Sequence, residues 1–183
     1  MVIIMRVITG IAKGKRLKTL EGVDVRPTTD RVKEGVFSAL QFGIEGRRFL
    51  DLFAGSGQMG IEAVSRGAKE AVLVDSSKKA LGVIKENVST CGFDSKIRVV
   101  SGSATSFLRS NREPFDITFL DPPYRKGLLE EVFPLVCENM KDTGIILCEH
   151  PIDEKIFEKY SEFCLDRQYR YGKIIVSSFC IKD

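Results

Sequence analysis

The chain has no tryptophan and one histidine, and its five cysteines are scattered. Each scarcity closes off a class of chemistry. Metal catalysis and Ser-His or Cys-His nucleophilic catalysis would all have to pass through His150. That residue follows an apolar run and precedes Pro151, so it reads as a strand-end residue. Cys91, Cys137, Cys148, Cys164 and Cys180 are odd in number, are never closer than eleven residues and contain no C-x-x-C. Neither structural zinc nor a disulfide framework fits that pattern; reduced, mostly buried thiols in a cytoplasmic protein do. No run approaches the roughly 18 apolar residues of a membrane span. The apolar start Met1–Met5 is too short for a signal sequence, and Arg6 follows it instead of preceding it. Acidic residues are also missing between positions 6 and 18, where Arg6, Lys13, Lys15, Arg16 and Lys18 lie.

The 183 residues that remain to be explained are 43% hydrophobic and 29% charged, as expected of one soluble globular domain. Net charge is only +3, but residues 1–48 hold ten Lys or Arg against five Asp or Glu, and the rest is slightly acidic. A basic N-terminal segment on a near-neutral body is the footprint of a polyanionic partner, although charge runs are often only solvated surface.

Residues 5–20 interleave apolar and polar side chains around Gly10 and Gly14, which predicts a hairpin. Residues 21–29 read as loop. Thr28, Thr29 and Asp30 offer caps for a helix to about Phe42, with Val32, Val36 and Leu40 on one face. Short apolar strands at 49–53, 71–74, 97–100, 115–120 and 145–148 then alternate with helices at 57–66, 77–90, 103–110 and 128–140, the last kinked or broken by Pro134. A further helix is expected over 153–160, then a hairpin of strands 162–170 and 173–181 turning near Tyr171-Gly172. Strands separated by helices predict an α/β fold: a mostly parallel sheet with helices on both faces, closed by a C-terminal antiparallel hairpin. Ligands of such sheets lie beyond the carboxyl ends of the strands.

Two segments fall there. The first is Asp51-Leu52-Phe53-Ala54-Gly55-Ser56-Gly57-Gln58-Met59-Gly60, a glycine-rich loop matching G-x-G-x-x-G, with Asp75 twenty residues after Gly55. That spacing also suits a dinucleotide such as NAD. Asp51 would sit poorly beside a pyrophosphate and well beside a cationic ligand such as S-adenosylmethionine (SAM), while Asp75 can accept hydrogen bonds from ribose hydroxyls in either case. The second is Asp121-Pro122-Pro123-Tyr124. The prolines stiffen the loop and remove two N–H donors; the carboxylate and the Pro122 carbonyl can accept both hydrogens of an exocyclic amine, and Tyr124 can stack on the ring that bears it.

The Phe53–Gly57 loop and the Asp121–Tyr124 tetrapeptide resemble the SAM-dependent amino methyltransferases, and Arg26-Pro27-Thr28-Thr29-Asp30-Arg31-Val32-Lys33-Glu34 and Arg125-Lys126-Gly127-Leu128-Leu129-Glu130 narrow the resemblance. More narrowly, they resemble the bacterial 16S ribosomal RNA guanine-N2 methyltransferases of the RsmD type, from about Arg6 through the final hairpin. The resemblance implies a Rossmann-like methyltransferase domain over 30–183 and an RNA-binding extension, a small basic hairpin and loop, over 1–29. It implies that Gly55 and Gly57 shape the pocket for the methionine part of SAM beside Asp51 and Phe53. Asp75, with Ser76, would hold the ribose; Ser103 and Ala104 would lie by the adenine. Asp121, Pro122, Pro123 and Tyr124 would present the guanine amine, and Arg6, Lys13, Lys15, Arg16, Arg26 and Arg31 would grip phosphates of 16S rRNA, in the small ribosomal subunit or an assembly intermediate. No metal and no membrane enter this reading. Three positions depart from the pattern: Gln58 replaces a small residue, Ser103 an acid, and Asp75 a glutamate.

Other readings keep part of the pattern. Methylation of adenine N6 in DNA or RNA, or of a protein glutamine, uses the same tetrapeptide, more often with Asn first. An NAD(P)-dependent oxidoreductase explains the glycine loop and leaves Asp121–Tyr124 without a role. A SAM-sensing or RNA-binding module without activity would have little use for an intact D-P-P-Y.

Overall fold

The computed structural model describes residues 5–20, 30–40, 43–124 and 126–182. Arg26, Arg125 and the expected caps Thr28 and Thr29 lie outside them, as does the end of the first expected helix at Phe42. Strands β1 (Met5–Arg6) and β2 (Arg16–Leu17) pair antiparallel as the expected hairpin. Helix α1 (Asp30–Ala39) follows, and then the regular alternation: β3 (Arg48–Leu52), α2 (Gln58–Ser65), β4 (Glu70–Asp75), α3 (Lys78–Cys91), β5 (Ile97–Ser101), α4 (Ala104–Ser110), β6 (Phe115–Leu120), α5 (Leu128–Glu138) and β7 (Met140–Pro151). Strands β8 (Lys159–Tyr160), β9 (Phe163–Tyr171) and β10 (Ile174–Ile181) close the chain.

The main sheet runs β5-β4-β3-β6-β7-β10-β9-β8. Its first five strands are parallel and the rest antiparallel. The order reverses between β3 and β6, which start outward in opposite directions and leave a crevice at their carboxyl ends. Burial on both faces explains why these strands read as continuous apolar runs. Phe49 and Leu73 face one core cluster, with Val36 and Phe37 of α1, Ile61 of α2 and Ile84 of α3; Leu50, Leu52, Val72 and Val74 face the other, with Phe107, Phe133 and Phe179. Met5, Val7, Ala12 and Leu17 of the hairpin belong to the first cluster, so the hairpin shares the domain's core.

Local signals set the helix ends. Ser77 caps α3 by accepting from the Ala80 N–H at 3.3 Å, and Gly92 closes it in the left-handed region, φ 73°. Pro134 does not break α5, which runs through it. One missing hydrogen bond is outweighed by burial of Leu129, Val132, Phe133 and Val136 from the same helix.

The expected helix over 153–160 is not formed. A turn and extended chain lead instead into β8, which pairs with the start of β9. Its apolar positions are satisfied by tertiary contact: Phe157 stacks on Phe133 at 5.1 Å and Tyr160 meets it edge-on at 6.4 Å. A polar segment with few apolar residues has no helical face worth burying once the aromatics dock this way. Strand β7 is twelve residues long against the four expected, because β10 extends the pairing to Pro151 at one end and β6 reaches back to Met140 at the other. All five cysteines are free; Cys137 and Cys148 are buried, and the other three are half-buried. Among the described residues, no helix is long and apolar enough to cross a membrane.

Candidate active site

The carboxyl ends of β3, β4, β5 and β6 open onto one cavity of about 810 Å³. The chain leaves β3 through a sharp reversal in which Phe53, Gly55 and Gly57 all have positive φ, 64°, 58° and 78°. Glycine enters that region freely, whereas a residue with a Cβ pays about 1–2 kcal/mol. Phe53 is one of two such residues among those described, and it lines the cavity. Gly57 is needed for a second reason: a Cβ there would stand 2.9 Å from Leu73 Cδ2 and 3.3 Å from Ile84 Cγ2. It faces the core and lets α2 start tight against β4 and α3.

Two aspartates floor the cavity. Asp75, ending β4, accepts the Gly55 N–H on Oδ2 and the Ser77 N–H on Oδ1, each at 2.8 Å. Both carboxylate oxygens are thereby fixed, each with a lone pair left for a ligand hydroxyl. Asp51 is 2% exposed, and among the described residues its one hydrogen bond to the backbone comes from the Gly60 N–H at 3.1 Å. Burial pushes its carboxyl up to about 7; the Gly60 bond opposes this and the negative charge of Asp75 adds to it. A buried carboxylate with so little donor support favours a cation placed beside it.

Ser103 and Ala104 line the same cavity at the start of α4. The Ser103 hydroxyl accepts the Ser106 N–H at 3.1 Å, so the position that departs from an acid serves as a helix cap. Ser76 lines the cavity as well, beyond Asp75. Opposite the glycine loop, Asp121, Pro122, Pro123 and Tyr124 leave β6 and form the other wall. Tyr124 is half-buried, and its hydroxyl donates to Glu149 Oε1 at 3.1 Å.

Met5, Thr19, Leu20, Lys126 and Glu131 also line it, and of these only Lys126 lies in a motif marked in the sequence. Thr19 and Leu20 are brought there by Asn87 of α3, which is 1% exposed. Its Oδ1 accepts the Lys18 N–H at 2.7 Å, and its Nδ2 donates to the carbonyls of Lys18 at 3.0 Å and Ser56 at 2.9 Å. One buried amide thus ties the end of the hairpin segment to the glycine loop.

Arg6, Lys13, Lys15 and Arg16 are exposed on the hairpin and Arg31 on the first turn of α1; none lines the cavity. The hairpin is held by α2. Glu62, fully buried, accepts the Ile8 N–H at 2.8 Å and the Thr9 N–H at 3.0 Å, and pairs with Arg66 at 2.8 Å. Ser65 Oγ accepts the Ala12 N–H at 3.0 Å. A Cβ on Gly10 would overlap the Ser65 carbonyl, 1.7 Å away. Lys33, also fully buried, donates to the Arg6 carbonyl at 2.7 Å and lies 3.8 Å from Glu62. Burial lowers its pKa, and the charges of Glu62 and Asp30 oppose that.

His150 turns away from the cavity. Its Nδ1 is 2.9 Å from the Pro151 carbonyl and its Nε2 2.8 Å from Ser177 Oγ. A carbonyl only accepts, so Nδ1 carries the proton and Nε2 accepts from the hydroxyl. Burial keeps the ring neutral by lowering its pKa. Among the described residues, no group of three or more His, Cys, Asp or Glu is placed to hold a metal ion.

A mostly parallel sheet whose switch-point cavity joins such a glycine loop to an Asp-Pro-Pro-Tyr wall defines a Rossmann-like methyltransferase. Comparison with known proteins narrows this. Residues 5–180 match the family model described as Conserved hypothetical protein 95, and the chain belongs to this family, the RsmD-type methyltransferases. It is 35% identical over 172 residues to the Escherichia coli K12 protein named Ribosomal RNA small subunit methyltransferase D, covering 93% of this chain and 86% of that one. The Haemophilus influenzae protein of the same name is 37% identical over 157 residues, covering 83% and 81%. The solved structure of yhhF from Escherichia coli superposes with a TM-score of 0.87 at 34% identity, over 97% of this chain and 99% of that one.

Proposed function

We propose that the chain methylates the exocyclic N2 amine of a guanine in 16S rRNA of the small ribosomal subunit, with SAM as methyl donor. The observation that carries this reading is the single cavity that joins a cation-seeking, ribose-suited floor to an amine-accepting wall. Relatives named for the small-subunit RNA support the substrate class.

The floor fits SAM chemically. Asp75 offers acceptors of fixed direction for two ribose hydroxyls. Asp51 offers a negative charge for the donor's cationic end, beside Phe53 and Gly55, while Gly57 sets the turn that presents them. Ser76 adds to the ribose side, and Ser103 and Ala104 border the adenine. When bound, SAM supplies an electrophilic methyl group on a sulfonium.

The guanine amine is a weak nucleophile because its lone pair is delocalised into the ring. Asp121 and the Pro122 carbonyl accept its two hydrogens, draw the nitrogen toward a tetrahedral shape and free the lone pair. Pro122 and Pro123 keep that pair of acceptors rigid, and Tyr124 stacks on the purine. Alignment of this kind contributes about 7–11 kcal/mol, and fixed dipoles add to it. The base has to leave its stack to reach the cavity. Arg6, Lys13, Lys15, Arg16, Arg26 and Arg31 hold phosphates around it, making binding salt-dependent. We place the protein in the cytoplasm, where this substrate is.

The deciding experiment incubates small subunits and free 16S rRNA, from cells lacking the gene, with the protein and methyl-labelled SAM. The RNA is then digested to nucleosides. Label in N2-methylguanosine is expected; label in N6-methyladenosine, or none in RNA, overturns the reading.

A further inference from the structure

Glu149 has no part in the site built so far, yet it is placed to serve it. Strands β6 and β7 are parallel and in register, with Leu120 opposite Cys148. Glu149 therefore comes level with Asp121, where the Asp-Pro-Pro-Tyr loop leaves the sheet. Consecutive residues of a strand face opposite sides. His150 is spent on Ser177 of β10, and Glu149 turns the other way, to Tyr124.

Glu149 is 5% exposed. A carboxylate so buried is costly unless it is hydrogen-bonded, and charged acceptors make the stronger bonds. One partner is the Tyr124 hydroxyl, donating at 3.1 Å to Oε1. That contact completes a rigid mount. Pro122 and Pro123 restrict the backbone before the ring, and Glu149 fixes its far end, so the ring has little freedom left about its own side-chain bonds. A ring that is to receive a flipped base gains from such preorganisation, since ordering it at binding would cost affinity.

We propose that Glu149 is a positioning residue for the methyl-transfer reaction: its buried carboxylate holds the Tyr124 hydroxyl and so sets the ring plane on which the target base lies. This rests on the reading above that Tyr124 receives the base.

The test is a double-mutant cycle on the full chain, with small subunits as substrate. Glu149→Ala and Tyr124→Phe are each expected to raise KM for subunits about tenfold and to leave the Kd for SAM unchanged. The double variant should be no worse than the more impaired single one, because both remove the same bond. Glu149→Gln should stay within about threefold of wild type, since the amide oxygen still accepts from the hydroxyl. Tyr124→Phe guards against a folding defect at Glu149, because it leaves the carboxylate in place.

A second readout needs no substrate. The chain has four tyrosines, so labelling tyrosine Cζ with 13C gives four resonances. The one that vanishes in Tyr124→Phe should shift in Glu149→Ala and move less in Glu149→Gln. Additive losses in the cycle, a Gln variant as impaired as Ala, or an unmoved Tyr124 resonance would each overturn the proposal. Failure of wild type to label subunit RNA overturns the functional reading instead, and the wild-type arm tells the two failures apart.

Discussion

Two buried carboxylates, one in helix α2 and one beside its first turn, are treated in opposite ways. Glu62, midway along it, is surrounded by donors: two hairpin N–H groups, the Arg66 guanidinium and, farther off, the Lys33 ammonium. Asp51, beside its first turn, takes one backbone N–H and has Asp75 as a neighbouring charge. Both are essentially inaccessible to water. The first is satisfied by the chain itself and joins the basic hairpin to the domain. The second is left short, so its charge is stabilised only when something cationic arrives. Internal satisfaction marks structure here, and its lack marks a site.

The contrast can be broken by substitution. Asp121→Ala, which removes a cavity-wall carboxylate, should lower kcat by about a thousandfold and barely move Tm, by analogy with loss of one preorganised acid–base or electrostatic group. Single-turnover kinetics with a thermal melt check both halves. Glu62→Ala should do the reverse. It leaves Lys33 buried without its carboxylate and two N–H groups unmade, which costs about 3–5 kcal/mol, or about 10 °C in Tm. A Tm unchanged by Glu62→Ala would remove the distinction drawn here.

Asp51→Asn should weaken SAM binding about tenfold while making the ligand-free protein more stable at neutral pH. The sign follows from its raised pKa. The folded state holds the proton up to about 7, whereas the unfolded chain releases it near 3.8, so Asp51 costs stability as pH rises between the two. Ligand-free wild type should lose stability across that window relative to Asp51→Asn, and wild-type affinity for SAM should rise from pH 6 to 8. Denaturant unfolding and calorimetry at several pH values measure both. The smallest effect belongs to the hairpin surface: Lys15→Ala should lower the slope of log K for RNA against log salt by roughly one unit, with SAM binding and Tm unaffected.

Much of this architecture was legible from local pattern. The parallel strands announce themselves as apolar runs because both faces are covered, and Ser77, Gly92 and the Gly55–Gly57 turn act through their immediate neighbours. The two loops at the carboxyl ends of β3 and β6 were legible too, since position in an α/β sheet predicts where ligands lie. The segment 153–160 was not, because its form depends on Phe133 far back in the chain. Nor was Asn87, whose three bonds span 31 and 69 residues of sequence.

The amino-acid sequence by itself determined the alternation of strands and helices, the basic character of the N-terminal segment, and the two loops that wall the cavity. Each of these depends on propensity, periodicity or charge within a few residues. Tertiary structure alone decided that the hairpin docks on Glu62 and Lys33, that Gly57 faces the core while Gly55 faces the cavity, and that Glu149, not the neighbouring His150, reaches Tyr124. Those outcomes depend on which distant groups are brought within hydrogen-bonding distance and shut off from water, and only the assembled sheet settles that.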